Sequence, residues 1–243
     1  METLICSLKK YFIMTSQEKG SGIGTLQERS LHAALKQWYQ KPGDRFEVSI
    51  SGYIIDIVRD DLLIEIQTSG FNSIKDKLRN LIPHHRVRLV YPIPIVKWVV
   101  RETPGGEEIS RRKSPKKLSV LNVFEELVSI PTLLGHHNLE LEVVEVFEDK
   151  VLQNDGKGSW RKKGWSNVDR RLIEVAETHL FKAPGDMVRL IPPDLATPFT
   201  NSDLSKSLGC PKRLAQKMTY CLRKMNVIKA VGKQGNAHLY IFQ

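Results

Sequence analysis

The chain has 243 residues, 41% hydrophobic content and a formal net charge of +10, enough for one large domain or two modest ones with an apolar core. No apolar run approaches the roughly 18 residues that span a membrane, and METLICSLKKYFIM is broken by Lys9-Lys10, which excludes a signal peptide or transit sequence. The three cysteines have no C-x-x-C spacing and no even framework, which fits a reducing, cytoplasmic setting.

In chain order, residues 1–20 read as a poorly ordered leader, with Met14-Thr15-Ser16-Gln17 as an alternative start. Leu31, Ala34, Leu35 and Trp38 fall at i, i+3, i+4, i+7 and predict a one-faced helix from Thr25 to Lys41-Pro42-Gly43-Asp44. FEVSIS (46–51), YIIDIV (53–58) and LLIEIQ (62–67) are rich in β-branched residues and predict an antiparallel meander turning at Ser51-Gly52 and Asp60-Asp61. Ile74, Leu78 and Leu81 line a second helix that Pro83 stops. VRLVY (87–91) is a strand, and Pro92 and Pro94 break the chain before VKWVV (96–100). Thr103-Pro104-Gly105-Gly106 is a turn, residues 118–129 look helical, and LELEVVEV (139–146) alternates as a strand. VDRRLIEVAETHLF (168–181) has helical spacing.

The C-terminal segment has its own rhythm. Thr200 caps a short helix, Pro211 opens a longer one ending near Asn226, and IKAV (228–231) and HLYIF (238–242) form a hairpin. Helix, turn, helix, hairpin is the order of a winged helix-turn-helix. The expected organisation is an α/β domain over 21–150, a basic aromatic linker over 151–167 and a winged-helix domain over 168–243.

The meander carries a carboxylate pair. A turn centred on Asp60-Asp61 sets Asp56 directly opposite Glu65, with Cβ atoms roughly 4.5–5.5 Å apart, where like charges destabilise. A divalent cation between them reverses that sign, and hard oxygen ligands suit Mg²⁺ or Mn²⁺. Alternation puts Val48, Ile50, Ile55, Ile57, Ile64 and Ile66 on one face, and Ser49, Asp56, Leu63, Glu65 and Gln67 on the other. Glu47, opposite Asp56 across the first hairpin, is read as a rim residue. Glu28 lies on the inward stripe of the first helix. It can reach the metal, or close a capping box on Thr25, and the two are compatible. Gln67 can orient water or phosphate but supplies no charge. Lys36, Lys75 and Lys77 are candidates for that charge, and the sequence does not select among them.

Helix, three strands, helix, strand resembles the αβββαβ core of the PD-(D/E)XK, or restriction-endonuclease-like, superfamily. QERSLHAALK matches its first helix, GYIIDIV its Asp strand and LLIEIQTSG its E-x-K strand. The likeness spans roughly residues 24–92 and is nearest to the branch of Holliday-junction resolvases and Mrr-type nucleases. The whole chain resembles an uncharacterised prokaryotic family of predicted nucleases with a C-terminal winged helix. The resemblance implies a nuclease-like domain over 21–150 and a metal-dependent DNA endonuclease. Asp56 and Glu65 would be the metal ligands, Glu28 the helix glutamate and Gln67 the residue at the lysine position. Gln67 departs from the family's lysine. That departure favours a second reading, a DNA-binding regulator that keeps the nuclease fold without chemistry.

Residues 204–243 carry eight Lys or Arg and no Asp or Glu, so most of the +10 sits there. Such a module is the electrostatic footprint of phosphate binding. Lys212, Arg213, Lys217, Arg223 and Lys224 on the long helix and Lys233 in the wing are candidate DNA contacts, with Gln216, Lys217 and Thr219 as base readers. In the 151–167 segment, Arg161, Lys162 and Lys163 between Trp160 and Trp165 can combine phosphate contact with stacking, or the tryptophans can be packing anchors. A scaffold meeting an acidic protein is a third reading, and a homodimer is a possible assembly. No P-loop, G-x-G-x-x-G, G-x-S-x-G or zinc spacing occurs, which argues against nucleotide-binding and acyl-transfer enzymes.

Overall fold

The computed structural model describes residues 30–158 and 160–243. The leader, Glu28 and the start of the first helix lie outside the described residues, so their readings stand as expectations. What is described is a mixed α/β protein built on a seven-stranded sheet, with a separate two-stranded hairpin at the C-terminus. Among the described residues, no helix is long and apolar enough to cross a membrane.

Helix α1 (Ser30–Tyr39) buries Leu31, Leu35 and Tyr39. Trp38, expected on that stripe, is 49% exposed, and the helix is rotated so that Tyr39 takes its place. The meander β1 (Arg45–Ile50), β2 (Tyr53–Arg59), β3 (Leu62–Ile66) follows, in the expected register. A 3₁₀ turn at Phe71–Ser73 and helix α2 (Lys75–Leu81) then cross over to β4 (Arg86–Glu102), which runs parallel to β3. The apolar stripe Ile74, Leu78 and Leu81 is buried as expected.

Pro92 and Pro94 do not break β4. They pair with Val144 and Val146 of β6 (Leu139–Asn154), and the strand is continuous through them with one irregularity before Val96. On the opposite side, β3 leaves off at Val90, and β5 (Glu108–Lys113) begins pairing only at Trp98. The prolines therefore sit where β4 has a single neighbour, and no ladder bond is lost for want of an N–H. Between β5 and β6, a 3₁₀ turn (Val120–Val123) and helix α3 (Phe124–Leu127) fill the expected helical stretch.

The expected helix at 168–181 is a strand. β7 (Trp165–Phe181) runs antiparallel to β6 over its whole length. The register skips Val168, Ile173 and Ala176 as the ladder slips at three places. Each skip inserts one residue and resets the alternation. Leu172 and Val175, three apart, consequently pack on the same side, while Val168 and Ile173 are pushed outward. Bulges thus imitate helical spacing. The segment 155–164 is the tip of a β6–β7 arm, not a linker, and the expected winged-helix domain over 168–243 loses its first 14 residues to the sheet.

After Phe181 come a 3₁₀ stretch (Pro184–Leu190), α4 (Asn201–Ser207), α5 (Lys212–Lys224) and the hairpin β8 (Ile228–Gln234), β9 (Ala237–Phe242). Thr200 caps α4, its hydroxyl accepting from the Ser202 and Asp203 amides. Leu214, Met218, Leu222 and Tyr240 belong to the same continuous core as Ile55, Leu63, Leu78 and Phe124. Cys221 is fully buried in it, and Cys210 is partly buried at its edge.

Both faces of the sheet are covered. Leu63 lies in the core beneath α2, α3 and α5, whereas Ile57, Ile64 and Ile66 pack with Leu31 and Leu35 of α1. Ile55, expected beside Ile57, is on the α2 side with Val48 and Ile50. The reason lies at Glu47, which has φ 52°, and at Asp56, since the β1–β2 ladder omits that pair and the alternation resets there.

Candidate functional site

Asp56 and Glu65 sit where β2 and β3 part. Their ladder runs Arg59–Leu62, Val58–Leu63, Ile57–Ile64 and stops one pair short of them, while Glu65 goes on beside Leu89 of β4. The Asp56 carboxylate fills the break. Its Oδ2 accepts from the Ile66 amide at 2.8 Å and lies 3.1 Å from His32 Nε2 on α1. Asp56 has only 15% of its side chain exposed, and Glu65 is 8% exposed.

Lys77 completes the cluster from α2. Its Nζ donates to Glu65 Oε1 and, at 2.6 Å, to the Ile54 carbonyl. Of the three lysines that could supply charge, this one reaches the carboxylates. Lys36 instead pairs with Glu47, which is exposed, at 2.8 Å. Burial pushes the Glu65 carboxyl up to about 7; the neighbouring Asp56 charge adds to the rise and Lys77 opposes it. Glu65 Oε2 is buried with no hydrogen-bond partner. An unsatisfied carboxylate oxygen beside a second carboxylate is a costly arrangement that a hard divalent ion satisfies. Asp56 and Glu65 are the two residues here that could hold a hard ion such as Mg²⁺ or Mn²⁺.

Gln67 does not join this cluster. Its Nε2 lies within 3.0 Å of Ser69 Oγ, the Gly70 carbonyl and Ser73 Oγ, so the side chain pins the turn into α2. The catalytic place expected for Gln67 is corrected on that ground, because its donors are engaged by the turn. His32 is a member of the cluster that sequence reasoning does not find. Nothing in its helix position marks it until Asp56 is seen to approach.

The basic C-terminal region presents one exposed helix face. Lys212, Arg213, Gln216, Arg223 and Lys224 are exposed on α5, and Lys233 on β8. Asn201, Ser202, Lys212, Gln216, Asn236 and His238 line a groove between α4, α5 and the hairpin. Two expected base readers fall outside this surface. Thr219 is 2% exposed, its hydroxyl bonded to Asn201 Oδ1 at 2.7 Å. Lys217 turns the other way and pairs with Glu125 of α3.

The 155–165 loop is not brought to this face. It caps the far end of the β6–β7 arm, roughly 45–50 Å of strand from Leu139, whereas α5 packs on α3, α4 and β8. There Trp160 is 83% exposed beneath the Arg161 guanidinium, and Arg101 covers Trp165. Lys163 is exposed; the side chain of Lys162 lies outside the described residues. Trp165 is thus half-buried and covered, and Trp160 is an open ring.

A family described as "Domain of unknown function (DUF8091)" matches residues 29–182, from α1 to just past the end of β7. The chain is also 33% identical over 220 residues to a protein of Treponema pallidum (strain Nichols) described as an uncharacterized protein, covering 90% of this chain and 86% of that one. The chain belongs to this family. No solved structure matches it.

Proposed function

We propose that the protein is a metal-dependent DNA endonuclease of the restriction-endonuclease-like kind, brought to DNA by a C-terminal winged helix. The observation that carries this reading is the convergence of Asp56, Glu65 and Lys77 where β2 and β3 part. Lys77 holds the positive charge that Gln67 lacks, so the departure at the lysine position no longer weighs against chemistry. In the order α1, β1–β3, α2, β4 and in the sequence α4, α5, β8–β9, the described elements agree with both halves of the proposal.

Asp56 and Glu65 would hold Mg²⁺ or Mn²⁺, which when bound polarises a phosphodiester and lowers the pKa of its water. Lys77 offsets negative charge gathering on the phosphate oxygens. The Ile66 amide and His32 fix the Asp56 carboxylate. Lys212, Arg213 and Lys233 neutralise backbone phosphates, and Gln216 faces the groove where base edges would lie.

The test is cleavage of single-stranded, duplex and branched DNA with Mg²⁺, Mn²⁺ or EDTA, alongside Asp56→Ala and Glu65→Ala. The proposal expects metal-dependent cleavage that both substitutions abolish. Cleavage that survives them overturns it. Salt-sensitive binding without cleavage in any metal supports the regulator instead.

A further inference from the structure

β6 and β7 carry a second cluster of metal-ligating groups. It lies two strand spacings across the sheet and four residues along from Glu65, roughly 16 Å away. Glu145 and Glu177 are direct partners across the antiparallel ladder, where like charges repel. The register skips Ala176 beside them, and such a bulge re-aims the flanking side chains. Glu145 is held in place by the Val120 amide, which donates to its Oε1 at 2.7 Å.

His179 approaches both carboxylates without bonding to either. Its Nε2 is 3.8 Å from Glu145 Oε2 and its Nδ1 is 3.8 Å from Glu177 Oε1. Those distances are too long for hydrogen bonds. Nε2 is buried with no hydrogen-bond partner, although the cluster is full of acceptors. One ligand atom from each of the three residues lies within 4.8 Å of the others. Donors about 2.0–2.2 Å from a shared tetrahedral ion stand roughly 3.3–3.6 Å apart, so the side chains must draw together to close the site.

We propose that Glu145, Glu177 and His179 form a divalent transition-metal site, of the Zn²⁺ class, separate from the Asp56 and Glu65 cluster. One imidazole and two carboxylates make a borderline donor set that favours Zn²⁺ over Mg²⁺, and three protein ligands leave a position for water. The ion cancels the cross-strand repulsion and ties β7 to β6. Through Val120 it also braces the 3₁₀ turn that leads into α3, against which α5 packs. It acts as a clamp between the two strands, with its remaining position open to water.

The experiment uses the full-length protein stripped of metal with a chelator. Zn²⁺ is titrated by calorimetry and Co²⁺ by visible absorption in wild type, Glu177→Gln, His179→Ala, His179→Asn and Asp56→Asn. Circular dichroism of each metal-free variant checks that it is folded. The proposal expects a Zn²⁺ affinity that falls at least tenfold in the Glu177 and His179 variants and is kept in Asp56→Asn, with Co²⁺ d–d bands lost in both His179 variants. It also expects Zn²⁺ to raise the melting temperature of wild type more than that of those variants. Absence of Zn²⁺ binding in wild type, or affinity unchanged in folded Glu177 and His179 variants, overturns it.

Discussion

Lys77 on α2 donates to the Glu65 carboxylate on β3, and so brings a charge from ten residues downstream to a place the E-x-K spacing leaves to Gln67. Glu65 is therefore flanked by an anion, Asp56, and a cation, with burial deciding the balance. This arrangement and the packing around it can be tested at four points.

The first concerns pH. Glu65 has a pKa of about 7 in the fold against 4.5 for the free group, so between those values the folded chain holds a proton that the unfolded chain has released. The contribution to stability is full below about pH 4.5 and is lost as pH rises through 7. Glu65→Gln removes the titration. Melting curves of metal-free protein from pH 4.5 to 8 should be flatter for Glu65→Gln, by on the order of 1–3 kcal/mol across the range. Mn²⁺ should raise the wild-type melting temperature more at pH 8 than at pH 5. Parallel curves for the two proteins would exclude the assignment.

The second separates two lysine and arginine positions on one helix. Arg213 is exposed on α5, whereas Lys217 pairs with Glu125 of α3. Arg213→Ala should weaken DNA binding and reduce the slope of log K against log salt by about 0.9, the value for one neutralised phosphate. Lys217→Ala should leave that slope unchanged and lower thermal stability instead. Fluorescence anisotropy at several salt concentrations reads both, and equal slopes for Arg213→Ala and wild type would remove Arg213 from the interface.

The third lies under the α1 side of the sheet. Glu148 is fully buried, with Arg170 Nη2 at 2.6 Å and Lys97 Nζ at 3.0 Å. Arg170 also donates to the Thr68 carbonyl at 2.8 Å, tying β7 to the end of β3. Glu148→Ala leaves two cations without their counter-charge and should cost about 3–5 kcal/mol in urea unfolding. A cost below about 1 kcal/mol would show that the pairing contributes little.

The fourth addresses domain boundaries. Residues 29–182 match the family as a unit, yet Phe199, Leu214, Met218 and Tyr240 share a core with Leu63 and Phe124. Truncation after Lys182 uncovers that core and should give an aggregating or molten product. A soluble fragment with a cooperative melt would mean the C-terminal part only rests on the sheet.

What is legible in the sequence depends on the range of the interaction. The β2–β3 register follows from one turn and a run of β-branched residues, and Asp56 and Glu65 are found by it. The capped helix at Thr200 is equally local. Face assignment fails at Ile55 because a left-handed Glu47 resets the alternation, and no composition rule foretells that. The segment 168–181 reads as a helix because skipped residues at Val168, Ile173 and Ala176 space its apolar side chains like one. That error also hides Glu177 and His179, whose meeting with Glu145 exists only once β7 is a strand. Lys77 is one of three equal candidates in the sequence, since only packing of α2 on the sheet decides which lysine arrives.

We propose that Lys77, together with Asp56 and Glu65, makes a working nuclease site in which Gln67 has no chemical part. The most direct measurement is the DNA cleavage rate of Lys77→Met and Gln67→Ala at saturating Mn²⁺. Lys77→Met should lose about 10²–10³-fold, in line with removal of one charge-stabilising donor. Gln67→Ala should lose no more than about tenfold, from a loosened turn. Wild-type rates in Lys77→Met, or a larger loss in Gln67→Ala than in Lys77→Met, would contradict it.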